Sequence, residues 1–483
     1  MYVFLNSPGY SYDVHSLVKA FFPHEDVKIV PDMPDGGQYV SVYVSSGDIG
    51  KDERASGVIR VTARLQNEPV AEEEKYEDLS RSDVKNVLKR TLYNVLVTVT
   101  HHTLPWGTMT GIRPTKVPMK LIKEGATDEQ IKEYMKSVYL CSDEKTALAI
   151  DIAHREANII NGMPEGGFGL YIGIPFCPTT CMYCSFSSYP IALWQGRTDE
   201  YLTALKREID MYIDQYRGRY VDAIYIGGGT PTTLSPEELS DLIGYVRNGF
   251  DISHLREFTV EAGRPDSITE EKLAVLKENN VSRISINPQT MNEKTLKLIG
   301  RHHTVEDVYT AYDKARAAGF TNINMDLIIG LPGEDESDVA NTFDKVRRLS
   351  PDSLTIHSLA IKRAANMGRF LNEHPEITSM NTPGMMRAAD ECAKGLGMEP
   401  YYLYRQKNMT GNLENVGYAR AGCLGVYNVI IMEEVTDIAA AGAGVIAKRV
   451  FAGDRIERMA NVKDVKLYIE RIDEMIERKK TWE

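Results

Sequence analysis

Three cysteines lie close together in the segment Cys177-Pro-Thr-Thr-Cys181-Met-Tyr-Cys184. Thiolates hold the irons of iron–sulfur clusters, and three of them on one short loop can ligate three of the four irons of a 4Fe-4S cluster. The fourth iron is then open to a substrate or cosubstrate. The spacing therefore predicts a cluster site with Cys177, Cys181 and Cys184 as its metal ligands.

Other kinds of cysteine site need residues that the sequence does not place nearby. A tetrahedral zinc site needs a fourth Cys or His, and the downstream candidates His254 and His302-His303 are isolated in sequence. A ferredoxin-type carrier needs a fourth cysteine, often before a proline, and no cysteine stands before Pro190. Burial in an apolar core is the remaining alternative, since free cysteines do pack in cores.

The composition narrows the class of protein. The chain has 483 residues and a formal net charge of -12, which predicts two or three domains and argues against a general nucleic-acid binder. No apolar stretch is long enough for a membrane span, and the first residues lack the pattern of a signal peptide. The other cysteines, Cys141, Cys392 and Cys423, are scattered singly, which indicates a reducing, cytoplasmic location.

The elements that must position the cysteines follow from residue patterns after about position 168. Apolar runs alternate there with amphipathic helical segments, which predicts an α/β fold of parallel strands covered by helices. Ser235-Pro236-Glu237-Glu238 is typical of a capping box with proline at the first helical position. Six such units form a partial (β/α)6 barrel, in which chemistry occupies the loops after the strands, and the cysteines follow the first strand. The predicted strands are 170–176, 223–227, 258–261, 283–287, 323–329 and 353–359.

We predict three regions: an N-terminal α+β domain at 1–165, the partial barrel at 166–375 and a smaller C-terminal α+β region at 376–483. The charged run near the end of the chain is interpreted as the solvated face of a helix. The further elements expected are strands at 39–44, 57–64 and 401–404, and helices within 80–160, at 384–395 and at 463–479.

A glycine-rich segment, Gly227-Gly-Gly-Thr-Pro-Thr232, follows the second predicted strand. Its backbone can approach a bound ligand closely, although the same residues also suit a strand-to-helix turn. With the C-x3-C-x2-C spacing and Tyr183 before the last cysteine, the chain resembles radical S-adenosylmethionine (SAM) enzymes. Specifically, it resembles the oxygen-independent coproporphyrinogen III oxidase (coproporphyrinogen dehydrogenase) family, most closely its HemZ-type branch. The resemblance covers residues 168–450, and the segment 108–116 (TMTGIRPTK) resembles the same branch.

The resemblance implies a radical SAM barrel, a 4Fe-4S cluster on the three cysteines, and SAM bound to the open iron through its amino and carboxylate groups. The reduced cluster would cleave SAM to methionine and a 5'-deoxyadenosyl radical. Positions that match SAM-binding residues of the family are Tyr171, Gly228, Gly229 and Glu261 at the cluster, Tyr183, Thr230, Gln289, Arg301 and Asp326 at a second SAM, and Ile446 beside the adenine.

Two carboxylates among these positions suggest roles from their own chemistry. Glu261 ends a predicted strand, where a carboxylate can accept both ribose hydroxyls, and an ion pair with Arg264 is the alternative. Asp326 interrupts an apolar strand, where an unpaired carboxylate is costly, so it needs a ligand or Arg301 as a partner. Gln289 and Arg301, taken alone, also suit structural roles.

The implied activity is that of a coproporphyrinogen dehydrogenase-like oxidoreductase in haem biosynthesis. It converts two propionates of coproporphyrinogen III to vinyl groups with loss of carbon dioxide, giving protoporphyrinogen IX. The implied partners are the tetrapyrrole substrate, a flavodoxin- or ferredoxin-type reductant and an unidentified electron acceptor. The propionate carboxylates of this substrate need arginine or lysine side chains nearby, although each candidate cation is also explained as an ordinary surface charge. The candidates are Arg113, Lys116, Lys362, Arg363 and Arg405.

Two departures from the family pattern keep other functions open. Phe186 stands where the established decarboxylases of the family carry a further cysteine. The related haem-chaperone branch has a phenylalanine there but carries a His-Asn-x-x-Tyr-Trp motif, where this chain reads Tyr427-Asn-Val-Ile-Ile-Met432. The alternatives are a haem-binding chaperone-like protein and a radical SAM methyl or alkyl transferase, because a shared fold does not fix function.

Overall fold

The structure is a computed structural model, in which the chain divides into two compact units, Met1–His154 with Arg405–Leu413 and Arg155–Tyr404 with Glu414–Glu483. The division into three regions at 165 and 375 stays a prediction. The residues described are 1–23, 25–33, 37–65, 68–362, 365–406, 409, 413–452 and 455–482.

The first unit is built on a five-stranded sheet with the order β2-β1-β3-β4-β5. Its strands are β1 (Tyr2–Leu5), β2 (Lys28–Val30), β3 (Tyr39–Val44), β4 (Arg54–Arg64) and β5 (Val70–Ser80), and its helices are α1 (Ser11–Phe21), α2 (Arg81–Thr100), α3 (Lys116–Lys123), α4 (Asp128–Tyr139) and the start of α5 (Asp143–Asn161). Alternate residues of the sheet, such as Val42 and Val61, are fully buried in one core with Leu17 of α1 and Leu92 of α2. This period of two is what a sheet covered on one face requires.

The second unit contains an eleven-stranded sheet in the described part of the chain. Six neighbouring strands in this sheet are parallel and follow chain order: β6, β9, β10, β11, β12 and β13. Their bounds are Phe168–Ile174, Val221–Gly228, Glu257–Glu261, Arg283–Ser285, Ile323–Ile329 and Ser353–Ser358. The predicted alternation of parallel strands and helices is confirmed, and the ends of these strands point to one edge that collects the loops.

The first predicted strand, 170–176, is observed as β6 at Phe168–Ile174. It ends before the predicted position because Pro175 follows Ile174 and proline cannot donate a hydrogen bond to the neighbouring strand. The chain resumes as β7 (Phe176–Cys177), which pairs with β8 (Tyr189–Pro190). The cysteine segment thus leaves the sheet through its own small strand pair.

The helices that follow the strands bury one face each. On α6, Leu202, Leu205 and Ile209 are buried at spacings of three and four. The capping box is confirmed, since Ser235 accepts from the amide of Glu238 and the Glu238 carboxylate accepts from the amide of Ser235. The helices are α6 (Thr198–Gln215), α7 (Pro236–Gly249), α8 (Glu270–Glu278), α9 (Glu293–Leu298), α10 (Val305–Ala317) and α11 (Glu336–Leu349).

Later segments extend the same sheet at both ends. Strand β15 pairs antiparallel with β13, and β16 pairs in parallel with β6. These segments are α12 (Met367–Glu373), α13 (Pro383–Gly395), β14 (Glu399–Tyr404), β15 (Asn415–Ala419), α14 (Val426–Glu433), β16 (Ile438–Ala441), β17 (Ile446–Val450), β18 (Ile456–Ala460), α15 (Val465–Glu470) and α16 (Ile472–Lys480). Among the described residues, no helix has both the length and the apolarity to cross a membrane.

A buried ion pair joins the last helix to the sheet. The side chains of Lys479 on α16 and Glu208 on α6 are 1% and 0% exposed. Glu208 also accepts from the amide of Gly442 at 2.9 Å and from Asn461 Nδ2 at 2.8 Å, while Lys479 donates to the carbonyl of Ala440 at 2.9 Å. Buried charges are tolerated when they are paired and hydrogen-bonded in this way. The terminal run, expected to be a solvated face, therefore contributes one cation to the interior.

Replacing Lys479 with methionine leaves Glu208 buried without its cation. We expect Lys479→Met to lower the free energy of unfolding by about 3 kcal/mol, the usual effect of removing one partner of a buried pair. Urea denaturation followed by circular dichroism measures the change. The control is Lys480→Met at the exposed neighbouring position, and equal midpoints for the two variants would contradict the role assigned to the pair.

Candidate functional site

The three predicted ligands lie on one turn, the cysteine loop, residues 177–184. Cys177 ends β7, and the amide of Cys184 donates to the carbonyl of Cys181 at 3.1 Å. All three side chains are half-buried. Each of Cys177 and Cys184 has an electrostatic interaction with Cys181, so the three sulfurs share one environment.

The cysteine loop is anchored to the chain after α9. The amide of Met182 donates to the carbonyl of Ile299 at 3.0 Å, and Thr179 Oγ1 donates to the carbonyl of Gly300 at 3.2 Å. These bonds satisfy polar groups that a loop would otherwise leave open, and they limit its conformations.

Burial controls the ionisation of the thiols. It raises the pKa of Cys177 to about 11, against the opposing effect of Thr230, whose Oγ1 lies 3.5 Å from Cys177 Sγ. Burial likewise raises the pKa of Cys184. Because cysteine binds metal as thiolate, metal binding at this loop must release the thiol protons.

A buried cation faces the cysteine loop. Arg264 is 3% exposed, and its Nη1 lies 3.8 Å from Cys181 Sγ and 3.0 Å from Thr179 Oγ1. Its partner is Asp266, at 2.9 and 2.7 Å, so the alternative pairing of Arg264 with Glu261 is not formed. A guanidinium in this place offsets the negative charge of thiolates.

This donor set fits a 4Fe-4S cluster. It provides three half-buried thiols on one loop together with a buried guanidinium beside them. Within the described ranges, no three His, Cys, Asp or Glu side chains are arranged around a single metal ion. A cluster does not need that arrangement, since each thiolate binds a different iron.

The glycine-rich segment makes main-chain contacts with the residues that lead into the cysteine loop. The amide of Gly229 donates to the carbonyl of Ile174, and that of Thr230 to the carbonyl of Phe176, both at 2.7 Å. A Cβ atom on Gly229 would lie 2.5 Å from the Phe176 oxygen, and Gly228 has φ of 105°. Only glycine fits both positions without strain, so the end of β9 can lie directly beside the end of β6.

Three tyrosine rings stack behind this junction. Tyr225 lies 5.9 Å from Tyr171 and 4.9 Å from Tyr427 between ring centroids. Tyr225 donates to Glu261 Oε1 at 2.6 Å. Burial raises the pKa of Glu261 to about 7, with the Tyr225 hydrogen bond opposing the shift. Glu261 therefore carries a carboxyl group that titrates near neutral pH.

Arg301 connects the cysteine loop to the loops after β10 and β11. Its Nη1 donates to the Tyr183 hydroxyl at 2.9 Å, and its Nη2 donates to the carbonyls of Gly263 and Asn287 at 2.9 and 2.7 Å. Its Nε is buried and has no hydrogen-bond partner among the described residues. Arg301 is thus available to one further acceptor.

Asp326 has partners other than the expected Arg301. Asn324 Nδ2 donates to its Oδ1 at 2.7 Å, and His357 Nε2 lies 3.9 Å from its Oδ2. Burial opposes ionisation of Asp326, but His357 and Asn324 together hold its pKa below the usual value. Gln289 contacts the same strand through its backbone, donating to the carbonyl of Asp326 at 3.0 Å, and has φ of 69°. A glutamine in the left-handed region is uncommon and is held there by its neighbours.

Ile446 begins β17 and is 51% exposed. The turn before it lies on β6, since a Cβ atom on Gly442 would be 2.6 Å from the carbonyl of Gly173. Ile446 therefore follows a turn that contacts the strand carrying Tyr171.

The cation candidates are distributed between the units. Arg405, Arg113 and Lys116 belong to the first unit. Arg405 is 4% exposed and donates to the carbonyl of Met109, so it is not the surface charge that the sequence suggested. Lys362 follows β13 in the second unit, and Arg363 lies outside the described residues.

Sequence reasoning did not find Tyr225, Asn287 or His357. Tyr225 is directly opposite Tyr171 in the register of two parallel strands, and this pairing has no local sequence signal. The sequence signal that could have found Tyr225 is its hydroxyl within the apolar strand β9, because a buried tyrosine hydroxyl usually has a hydrogen-bond partner.

The chain matches the radical SAM superfamily over residues 171–346. It is 40% identical over 451 residues to the oxygen-independent coproporphyrinogen-III oxidase-like protein HemZ of Bacillus subtilis (strain 168), covering 91% of this chain and 89% of that protein. It is also 39% identical over 193 residues to the heme chaperone HemW of the same strain, covering 40% of this chain and 50% of HemW.

The fold is similar to that of the coproporphyrinogen III oxidase HemN from Escherichia coli, a radical SAM enzyme. The TM-score is 0.53 at 24% sequence identity, with 67% of this chain and 73% of that chain covered. Three observations point to the same family. The parallel strands follow chain order, the cysteine loop comes after the first of them, and the match to HemZ covers 91% of this chain. This chain belongs to the radical SAM superfamily and, within it, to the HemZ-type branch of the oxygen-independent coproporphyrinogen III oxidase family.

Proposed function

We propose that this protein is a radical SAM oxidoreductase that decarboxylates two propionates of coproporphyrinogen III to vinyl groups. The product is protoporphyrinogen IX. The observation that supports this most is the hydrogen bonding between the glycine-rich segment at the end of β9 and the residues that lead from β6 into the cysteine loop. These segments occur in a chain of the HemZ-type branch. Haem biosynthesis is the setting that the names of its relatives suggest.

The cofactors of this superfamily are a 4Fe-4S cluster and SAM. When bound, they supply the hydrogen-abstracting radical that the protein itself has no group to generate. We assign Cys177, Cys181 and Cys184 to the cluster, with Arg264 as the cation that stabilises its negative charge.

SAM at the cluster is assigned to the surface formed by Tyr171, Gly228, Gly229 and Glu261. The two glycines let the backbone approach the ligand, and the carboxylate of Glu261 accepts the ribose hydroxyls. Tyr225 holds that carboxylate in position through its 2.6 Å hydrogen bond. The main chain near Ile446 is assigned to the adenine.

A second SAM is assigned to Tyr183, Thr230, Gln289, Arg301 and Asp326. The available Nε of Arg301 suits the carboxylate of this ligand, and the ionised Asp326 suits its positive groups. These two side chains do not neutralise one another, since Arg301 bonds to Tyr183 and main-chain carbonyls.

Each of the two decarboxylations must balance one hydrogen atom, one carbon dioxide and one electron. The hydrogen atom would pass from the propionate β-carbon to the radical that SAM supplies, the carboxylate would leave as carbon dioxide, and a carbon–carbon double bond would form as one electron passes to an acceptor. A flavodoxin- or ferredoxin-type protein is the proposed reductant.

Haem delivery is the second candidate function, favoured by the similarity to HemW over 40% of this chain. The residue aligned with the histidine of the chaperone motif is Tyr427, which is 4% exposed and stacked on Tyr225. A buried tyrosine in a ring stack does not provide the imidazole that the motif supplies, so decarboxylation is preferred.

Anaerobic turnover of coproporphyrinogen III with reconstituted enzyme, SAM, dithionite and an electron acceptor should give two successive losses of carbon dioxide by mass spectrometry. Recovery of unchanged porphyrinogen while SAM is cleaved would overturn the proposal, and a methylated product would identify an alkyl transferase. Stable haem binding without SAM cleavage would identify haem delivery instead.

Cys181→Ala should abolish the cluster and SAM cleavage together, because a cluster needs all three thiolates. Iron and sulfide content, visible absorbance and 5'-deoxyadenosine formation measure the effect. The matched control is Cys423→Ala, which removes a half-buried cysteine outside the cysteine loop. Normal cluster content in Cys181→Ala would exclude Cys181 as a ligand.

The affinity for SAM should rise with pH through about 7, where Glu261 ionises. The ionised carboxylate is the stronger acceptor, so binding weakens as pH falls from 8 to 6. Glu261→Gln should bind about tenfold more weakly at pH 8, as expected for loss of a charged hydrogen bond, and should lose most of the pH dependence. Equilibrium binding to the oxidised holoenzyme tests this, with Glu278→Gln at an exposed site as control. An unchanged pH profile in Glu261→Gln would refute the assignment.

A further inference from the structure

We infer that Phe186 and Lys362 form a substrate contact beside the cysteine loop, which binds a pyrrole ring on the phenylalanine and a carboxylate of the same substrate on the lysine. This inference rests on the proposed function and deepens it, since it names the residues that recognise a carboxylate-bearing tetrapyrrole. We refer to the pair as the aromatic–cation contact.

Phe186 presents an apolar ring next to the cluster ligands. Its side chain is 70% exposed, although it stands two positions after Cys184. The ring is therefore open to a ligand beside the cysteine loop.

Lys362 supplies a cation at the same place. Its Nζ lies 5.9 Å from the centroid of the Phe186 ring, within the range of a cation–π contact. In the described part of the chain, no carboxylate forms an ion pair with Lys362. Lys362 is exposed, so its ammonium can reach a carboxylate of a substrate that lies on the Phe186 ring.

Hydrogen bonds connect the segment after Lys362 to the cysteine loop. The amide of Met367 donates to the carbonyl of Met182 in the cysteine loop at 3.1 Å, and the amide of Ala365 donates to the carbonyl of Lys362 at 3.1 Å. Met367 also belongs to the apolar cluster against which Met182 and Tyr183 pack. The chain after β13 is thus tied to the cysteine loop, so the aromatic–cation contact belongs to the cluster site.

Porphyrinogen chemistry matches this pair. Each pyrrole has a flat face that packs on an aromatic ring, and each propionate carries a carboxylate that an ammonium binds as a charge-assisted hydrogen bond. Lysine is a flexible point charge, which accommodates successive propionates more readily than the fixed fork of arginine. The aromatic–cation contact would hold one carboxylated ring beside the cluster while another propionate reacts.

The test uses reconstituted holoenzyme and coproporphyrin III, the stable oxidised form of the proposed substrate, as the binding probe. Fluorescence titration gives its Kd for the native protein and for Phe186→Leu, Lys362→Met and Lys362→Arg. Lys277→Met, at the exposed end of α8 that leads into the start of β11, serves as the control. Phe186→Leu and Lys362→Met should each raise Kd about tenfold, while Lys362→Arg should retain most of the affinity. The KM for coproporphyrinogen III should rise more than kcat falls.

Cluster content and SAM affinity should match the native protein in all variants, which separates a substrate contact from damage to the cysteine loop. Native affinity for coproporphyrin III in both Phe186→Leu and Lys362→Met would overturn the inference while leaving the decarboxylase proposal intact. Equal loss in Lys362→Arg and Lys362→Met would also overturn it, since charge would not be what matters. If the native holoenzyme neither binds coproporphyrin III nor converts coproporphyrinogen III, the proposed function and the inference fail together.

Discussion

Close backbone contact between the ends of β6 and β9 is the constraint on which the rest of the site depends. The amides of Gly229 and Thr230 reach the carbonyls of Ile174 and Phe176 at 2.7 Å, a separation that leaves no room for a Cβ atom on Gly229. This contact sets the direction in which the chain enters the cysteine loop. The cysteine sulfurs, the glycine-rich segment and Glu261 on the next strand consequently share one edge of the sheet.

Buried cations stabilise the loops that this junction positions. Arg264 bonds to Asp266 and Thr179 and faces Cys181, while Arg301 holds Tyr183 and two main-chain carbonyls. Guanidinium groups suit this role because they offer several donors in one plane. A buried cation also stabilises the position of α16. Lys479 on this helix pairs with Glu208 and donates to the carbonyl of Ala440 in the sheet, while Asn461 donates to Glu208.

Burial and hydrogen-bond partners together give two carboxyl groups of the candidate site different ionisation. Glu261 titrates near neutrality because it is buried, whereas Asp326 stays ionised because His357 and Asn324 outweigh its burial. The two carboxyl groups lie on β10 and β12, which β11 separates in the same sheet, and their different pKa values suit them to different ligands. The proposed assignment of Glu261 to hydroxyls and Asp326 to positive groups follows this difference.

Much of this arrangement was predictable from local sequence. The six parallel strands follow from apolar periodicity and the capping box at Ser235 from side-chain chemistry, and the proposed cluster site at Cys177, Cys181 and Cys184 rests on residue type and spacing. Each of these signals is carried by residues close together in the chain. Family resemblance added Glu261, Arg301 and Asp326 as site positions, but not their partners within the protein.

Tertiary structure alone decided those partners. Strand register places Tyr225 beside Tyr171 and Glu261. Arg264 pairs with Asp266 and not with Glu261. Lys479, on the charged terminal helix, is buried in an ion pair with Glu208. Arg405 likewise proved to be buried. The physical reason is that burial and pairing energies depend on which side chains meet across the fold, and such contacts join residues far apart in the chain. The sequence by itself thus determined the cofactor chemistry and the order of the strands, whereas the fold determined which charges are paired, which are buried and which remain open to a ligand.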